Sequence, residues 1–572
     1  MEVFLIPLVD KNYLKEYIEI KGQKNVQAAF EKGKGVILLA MHEGSWELSN
    51  IICAHLVFPF NFFVRDQKFP RLDRILSSYR TRQGCRVIQR ENQLRQLIEV
   101  LKKNEAIGIT ADQGGKSGAI VKFFGRSASM STGGVKLALK SGATIIPCFY
   151  VRLNGPYIRV IFGAPYDVKK TGERGKDVQY NLQELIRVFE KFITACPKEY
   201  LWSYKIWKYG LDKNVLILHD GKAGHLRQSQ AIAGILEECL KERNNAAAID
   251  IVEVKYKNKL CKLGLTLSAC LSGRYRCQGC LGCLKALLDR ETYGALAGKK
   301  YDFIISCGAS VAVVNFLMAR ENLAKSIALM RPSIFSTRKF DLVVMPRHDR
   351  PPRRKNVVIT DGALNLINKE YMNDCISHIA ERISSRKSDK RLAISDKQLY
   401  IGLLIGGDAK NFRLDKNLIA EVIKQAKAAA EELDADILAT TSRRTSVEIE
   451  NLIESEFKDY PRCKLLVIAN KNNIAEAVGG ILGLSNIVVV SPESISMVSE
   501  AAKSKKYVLA FNAPGLDVKH RRFLKYFQKN NYIRLIEADG LNKAIGDLWR
   551  DRPQIGFSDD DFKVKEAVKL LI

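Results

Sequence analysis

The chain has 572 residues, 47% of them hydrophobic and 27% charged, and its 91 basic against 62 acidic residues leave a net charge of +29. That length is too great for one core and points to about three or four folding units, and the composition excludes a largely disordered chain. The charge is spread along the chain, with 33 basic and 19 acidic residues in positions 1–210, so it is not a basic tail. It suits anionic surfaces: phospholipid headgroups, phosphorylated glycolipids or acidic carrier proteins. No zinc-finger, RNA-recognition or basic-zipper pattern occurs, which argues against nucleic acid as a partner.

No run reaches the roughly 18 apolar residues of a membrane span. The closest, IICAHLVFPFNFFV at 51–64, is broken by His55, Pro59 and Asn61. The opening MEVFLIPLVDKNYLKEY lacks the basic start and small-residue cleavage site of a secretory signal. Thirteen cysteines without a signal imply reduced thiols in a cytoplasmic protein.

In chain order, GVILLA at 35–40 reads as a buried strand and runs directly into HEGSWE. His42 and Glu47 are five residues apart, about 140° around a continuous helix, so they meet only if His42 sits in the strand-to-helix turn. A carboxylate on one imidazole nitrogen fixes the tautomer and stabilises the cation formed when the ring takes a proton, which suits activation of a hydroxyl. Such a pair is a weak signal alone. Then come VRDQKFPRLDRILSSYR, GCRVI, ITADQG, VKFFGRSASMSTGGVKLALKSGATIIPCFYVR and PKEYLWSYKIWKY.

Over roughly residues 20–208 this ordered series resembles the lipid A biosynthesis acyltransferases, the lauroyl and myristoyl transferases of Gram-negative bacteria. The resemblance implies a glycerolipid-acyltransferase-like α/β domain over 1–210, with the family's histidine and acidic residue at His42 and Glu47. Its aspartate–glutamine pair falls on Asp112 and Gln113, its FFG element on Phe123, Phe124 and Gly125, and its threonine and glycine on Thr132 and Gly133. The implied donor is an acyl thioester on acyl carrier protein. The implied acceptor is a hydroxyl of an acylated, phosphorylated glucosamine disaccharide, at the cytoplasmic face of the inner membrane. In this reading His42 is the general base, Glu47 orients it, and no cofactor is needed. Asp112 holds the catalytic turn or the acceptor, or serves as a helix cap. Arg65, Lys122 and Arg126 are candidates for phosphate or carrier contacts, each set against plain solvated charge. Residues 51–64 line an acyl slot, dip into the bilayer, or form a buried helix. Three features depart from the family: no membrane-spanning helix opens the chain, Ser45 stands where asparagine is common, and Tyr204 where histidine is common.

A fresh strand, NVLILHD, opens a second part near 211, followed by a glycine-bearing turn and the helical QSQAIAGILEECL. The pattern repeats as LYIGLLIGGDAK before NLIAEVIKQAKAAAEEL, with charge-rich residues 380–398 between. Two similar α/β units over 211–385 and 386–572, with a cleft between them, follow from this. DGKAGH, SCGAS, ITDGALN, LLIGGDAKNF, TTSRRT and SPESISMVSEA occur in order, and over roughly 213–550 they resemble the family named after the plant elongated-mitochondria fission factor. Its bacterial members look like two-lobed GT-B glycosyltransferases built from a pair of Rossmann-type domains.

The resemblance assigns a nucleotide sugar or its acceptor to Gly221, Lys222, Gly224, His225, Gly406, Gly407, Ser494 and Ser496, with Glu493 or Glu500 near the ribose or sugar. The alternatives are a non-catalytic GT-B-like binding module, and an N-terminal enzyme acting on another glycolipid or a phospholipid. Cys277, Cys280 and Cys283 form CQGCLGC, a weak metal-binding pattern, because Leu287 stands where a ferredoxin run has its fourth cysteine.

Overall fold

The computed structural model describes residues 2–56, 59–63, 69–82, 85–88, 93–204, 206–271, 281–332, 335–384, 398–409 and 412–572. It divides into two compact units, Met1–Asp212 and Lys213–Ile572.

The first unit is built on a seven-stranded sheet whose two central strands are Val36–Ala40 and Ala106–Thr110, paired in parallel with Ala40 opposite Thr110. Val36 and Leu38 point into one apolar cluster, Ile37 and Leu39 into another on the opposite face. That is the alternation of a strand buried on both sides, and it explains why GVILLA reads as an unbroken apolar run. Helices Gln23–Glu31, Trp46–His55, Gly133–Ser141 and Arg174–Ala195 cover the sheet. The FFG element is the turn of an antiparallel hairpin between Ala119–Phe123 and Arg126–Met130. Phe124 and Gly125 both have positive φ, at 48° and 76°, the requirement of a tight two-residue hairpin turn. Within 51–64, the helix Trp46–His55 and the strand Phe60–Phe63 bury Ile51, Ile52, Cys53, Phe60 and Phe62 in the core, so this segment is an internal helix and strand.

The second unit contains two six-stranded sheets. In chain order, the strands of the second run 3-2-1-4-5-6, from Cys463–Val467 through Tyr400–Leu404 to Arg534–Ile536, with every neighbouring pair parallel. This is the doubly wound order, with its switch point between Tyr400–Leu404 and Ile487–Val490. The first sheet pairs Asp212–His219, Phe303–Cys307, Lys325–Leu329, Leu342–Pro346 and Val357–Thr360 in parallel, with Ala246–Glu253 on the outside.

The chain crosses between the lobes twice, so the expected division at 385/386 does not match the packing. Helix Lys369–Ser384 lies on the second lobe, where Gly479 and Gly480 let Cys375 and Ile379 approach the backbone closely. The last helix, Asp560–Lys569, returns to bury Val564 and Val568 in the first lobe's core. Two Rossmann-type lobes exchanging their terminal helices across a cleft make the GT-B arrangement. Most of the charge-rich 380–398 segment lies outside the described residues.

Candidate functional site

Because Ala40 and Thr110 are register partners, the residues two further along each strand, His42 and Asp112, emerge side by side at the carboxyl edge of the sheet. Asp112 is fully buried and takes two hydrogen bonds from the same residue. Its Oδ1 lies 2.7 Å from His42 Nδ1, and its Oδ2 accepts the His42 backbone N–H at 3.1 Å. One carboxylate thus fixes both the ring and the turn that carries it. An ionised carboxylate only accepts, so Nδ1 carries the proton and Nε2 keeps its lone pair. Gln113 Nε2 stands 3.3 Å from that Nε2.

Glu47 is placed differently from the sequence expectation. It sits in the first turn of Trp46–His55 and forms a two-point ion pair with Arg80, Nη2–Oε1 at 2.7 Å and Nε–Oε2 at 3.2 Å. Arg80 is 2% exposed and lies over the Phe62 ring. Removing a guanidinium from water demands a charged partner, and Glu47 supplies it. The acidic residue that orients His42 is therefore Asp112, which arrives from the neighbouring strand. A helix-surface residue five positions on is turned to other work.

The strap at 199–201 closes this turn from outside. Leu201 N–H donates to the His42 carbonyl and Gly44 N–H to the Glu199 carbonyl, each at 2.9 Å, and Glu43 and Tyr200 form an antiparallel bridge. Gly44 has φ +54°, and a Cβ there would lie 2.7 Å from the Tyr150 carbonyl oxygen, so only glycine allows the turn. Arg152 ties the same pieces together through Gly44 O and Glu199, both at 2.9 Å.

Two buried acids stand beside the pair. Burial pushes the Glu43 carboxyl well above its ordinary range, opposed by a backbone hydrogen bond from Tyr150 and reinforced by the charges of Asp112 and Glu199. Burial also raises the Tyr200 phenol, helped by Asp112. Glu43 lies in HEGSWE beside His42 and Tyr200 in PKEYLWSYKIWKY, and the bridge between them brings the second motif to the first.

The remaining residues of the first constellation separate. Ser131 N–H donates to the Ala111 carbonyl at 2.7 Å, which brings Thr132 and Gly133, the start of helix Gly133–Ser141, to the Asp112 strand end. Lys122 instead pairs with Asp212 at 3.1 Å, and Arg126 lies over the Trp207 ring. Arg65 lies outside the described residues.

In the second unit a cavity of about 260 Å³ lies between the lobes. Gly224 and Arg227 line it from the first lobe, and Ser494, Ser496 and Glu500 from the second, beside Arg443 and Arg444. Burial raises the Glu500 carboxyl to about 7, opposed by Arg227, whose Nη1 is 4.0 Å away. Glu493 has another task. Its Oε1 accepts Gly407 N–H at 2.8 Å, and a Cβ on Gly406 would lie 1.7 Å from that oxygen. A Cβ on Gly407 would meet the Arg444 backbone at 2.2 Å. Gly406, Gly407 and Glu493 therefore lock the loop at the switch point, and among the lining residues Glu500 is the carboxylate. Gly221 has φ +80°, and Lys222 Nζ lies 3.4 Å from Asp220. Cys277 and Cys280 lie outside the described residues, and Cys283 is a partly buried thiol on the short helix Gly282–Leu287.

Residues 223–553, more than half of the chain, match the family model described as Mitochondrial fission ELM1. The chain belongs to that family. Residues 1–209 match a second model, Bacterial lipid A biosynthesis acyltransferase. The first unit is 28% identical over 151 residues to the phosphatidylinositol mannoside acyltransferase of Mycolicibacterium smegmatis, covering 26% of this chain and 50% of that protein. It is 24% identical over 205 residues to the lipid A biosynthesis acyltransferase of Haemophilus influenzae, covering 35% of this chain and 62% of that one. The chain thus spans about half to three-fifths of the length of these two relatives. Among solved structures, the UDP-GlcNAc 2-epimerase of Neisseria meningitidis is similar over 62% of this chain and 98% of its own, at 12% identity and a TM-score of 0.36. No helix among the described residues is long and apolar enough to cross a membrane.

Proposed function

We propose that the first unit transfers an acyl chain from an acyl carrier protein thioester to a hydroxyl of a lipid A precursor, with His42 as general base. The observation that carries this reading is the His42–Asp112 pair at the carboxyl edge of the sheet, 2.7 Å apart. His42 Nε2 takes the acceptor proton as the acceptor oxygen attacks the thioester carbonyl. Asp112 holds the tautomer and balances the charge on the imidazolium. As the tetrahedral intermediate collapses, the carbon–sulfur bond breaks and the proton passes from His42 to the departing thiolate. Gln113 and the amides at the start of helix Gly133–Ser141 are the nearby donors suited to the oxyanion.

The net charge of +29 supports docking on an anionic membrane surface, at the cytoplasmic face of the inner membrane, and on an acidic carrier. A second acceptor is favoured by the likeness to the mycobacterial enzyme: a mannosylated phosphatidylinositol-type glycolipid.

For the second unit, the proposal is a nucleotide-sugar site in the interlobe cavity, with Arg227, Arg443 and Arg444 around the diphosphate. The test is mass-spectrometric detection of a lipid A precursor gaining one acyl chain when acyl carrier protein thioester and the purified chain are supplied. A His42→Ala chain that acylates at the wild-type rate refutes the assignment.

A further inference from the structure

The second unit holds another histidine–carboxylate pair, both members within one strand-to-helix turn. Leu218 and Ser306 are register partners on adjacent parallel strands, so Asp220 and Gly308, two residues further, face each other at the carboxyl edge of that sheet. Asp220 Oδ1 lies 2.9 Å from His225 Nδ1, and Oδ2 accepts the Ser310 hydroxyl at 2.8 Å. Gly308 makes room for the ring. Its φ is +89°, and a Cβ there would lie 2.8 Å from His225 Cε1 and 3.0 Å from Nδ1. Burial acts to raise the Asp220 carboxyl, but the Ser310 hydroxyl, His225 and Lys222 together hold it below its ordinary value. The carboxylate therefore stays ionised and accepts the hydrogen bond from Nδ1–H, which leaves Nε2 as the acceptor nitrogen of a ring 19% exposed. His225 also follows Gly224 directly in the first turn of helix Ala223–Lys241, and that turn carries Gly224 and Arg227 into the interlobe cavity.

We propose that His225, oriented by Asp220, is the proton acceptor of a second group-transfer site, which joins a hydroxyl-bearing acceptor to the sugar of a nucleoside-diphosphate donor held in the cleft. This rests on the nucleotide-sugar reading of the cavity. The acceptor oxygen forms a bond to the sugar's anomeric carbon while the bond from that carbon to the diphosphate oxygen breaks. The acceptor proton moves to His225 Nε2 and is later lost to solvent, and the nucleoside diphosphate leaves with the bonding pair.

The test uses the full chain with UDP-N-acetylglucosamine, UDP-glucose and GDP-mannose as donors and a lipid A precursor as acceptor. It measures nucleotide affinity by calorimetry and nucleoside diphosphate release by coupled assay. His225→Gln is expected to bind UDP or GDP within about twofold of wild type, yet to release it about 10²–10⁴-fold more slowly. Asp220→Asn is expected to lose rate while nucleotide affinity stays within about twofold of wild type. Arg227→Gln is expected to weaken binding, with thermal unfolding confirming that each variant is folded. Gly308→Ala, which displaces the ring without touching its chemistry, is expected to slow release in the same direction. His225→Gln releasing nucleotide at the wild-type rate overturns the assignment while leaving the cleft reading intact, and so does loss of binding in that variant. No binding of any nucleotide by wild type at millimolar concentration overturns the cleft reading and the proposal with it. Nucleotide binding by wild type without release from any of the donors overturns the proposal and leaves the cleft reading intact.

Discussion

Replacing Asp112 by Asn removes one charge and keeps the volume, so its effect reads out what the carboxylate does for His42. The side chain is fully buried and makes two hydrogen bonds to one residue, at 2.7 and 3.1 Å. An amide that keeps the acceptor toward the His42 backbone N–H turns its NH₂ toward Nδ1. The ring must then present a lone pair there, and the proton moves to Nε2, which is the wrong tautomer for a base. The charge that balances the imidazolium is also lost. A general base is typically worth about 10²–10⁴ in rate, and an oriented aspartate lies toward the upper part of that range. The expected loss in kcat is about 10²–10⁴, or about 3–5 kcal/mol of transition-state stabilisation, with KM nearly unchanged. The assay is steady-state acyl transfer from acyl carrier protein to a lipid A precursor across pH 5.5–9, alongside thermal unfolding. A folded Asp112→Asn chain with wild-type kcat and pH profile would refute the dyad.

Glu47→Gln addresses the competing partner. It leaves Arg80 buried without its counter-charge and is expected to cost about 3–5 kcal/mol of stability, seen as a lower denaturant midpoint. Full stability with abolished kcat would restore Glu47 to the catalytic role. Gly44→Ala places a Cβ 2.7 Å from the Tyr150 carbonyl at φ +54°, and is expected to cost about 1–3 kcal/mol and most of the acyl transfer rate. An unchanged melting temperature contradicts that. Glu43 has a raised pKa when folded, so the native state favours its protonated form. Stability from this group is fully present below the unfolded value and is lost as pH rises from there toward the folded one. Glu43→Gln is therefore expected to gain stability over wild type at pH 8 relative to pH 4.5. A difference independent of pH contradicts a Glu43 pKa raised by folding. Glu500, raised to about 7, ionises in the cleft near neutrality. Nucleoside diphosphate affinity should fall several-fold from pH 6 to 8, and Glu500→Gln should flatten that slope in calorimetry.

The alternation of apolar strands with helical segments exposes the layered α/β architecture in the sequence, because each parallel strand is buried on both faces and reads as an unbroken apolar run. His42 was also visible, since a histidine directly after such a run sits at the carboxyl edge of a sheet. Its partner was not, because Glu47 is near in sequence while Asp112 is near only through strand pairing. The clue lay in the matched spacing of GVILLA to His42 and AIGIT to Asp112, two residues past each strand end. Asp220 and Gly308 are likewise matched, each one residue past its strand end. Gly406, Gly407 and Glu493 resembled ligand-binding residues because a tight backbone-locking loop uses the residue types of a phosphate loop. The Glu493 carboxylate on Gly407 N–H and the packing of Arg444 against Gly407 separate the two. Arg80 and Glu43 lie in quoted motifs, but their burial carries no sequence signal, since it arises from distant chain segments.

The central claim is that His42 and Asp112 together activate a hydroxyl for acyl transfer. It is tested most directly by single-turnover acylation, with the chain in excess over a lipid A precursor and a saturating acyl carrier protein thioester, for wild type, His42→Ala and Asp112→Asn. Acylated glycolipid is expected from wild type, none above background from His42→Ala and a rate about 10²–10⁴ lower from Asp112→Asn. Acylation by folded His42→Ala at the wild-type rate would contradict it.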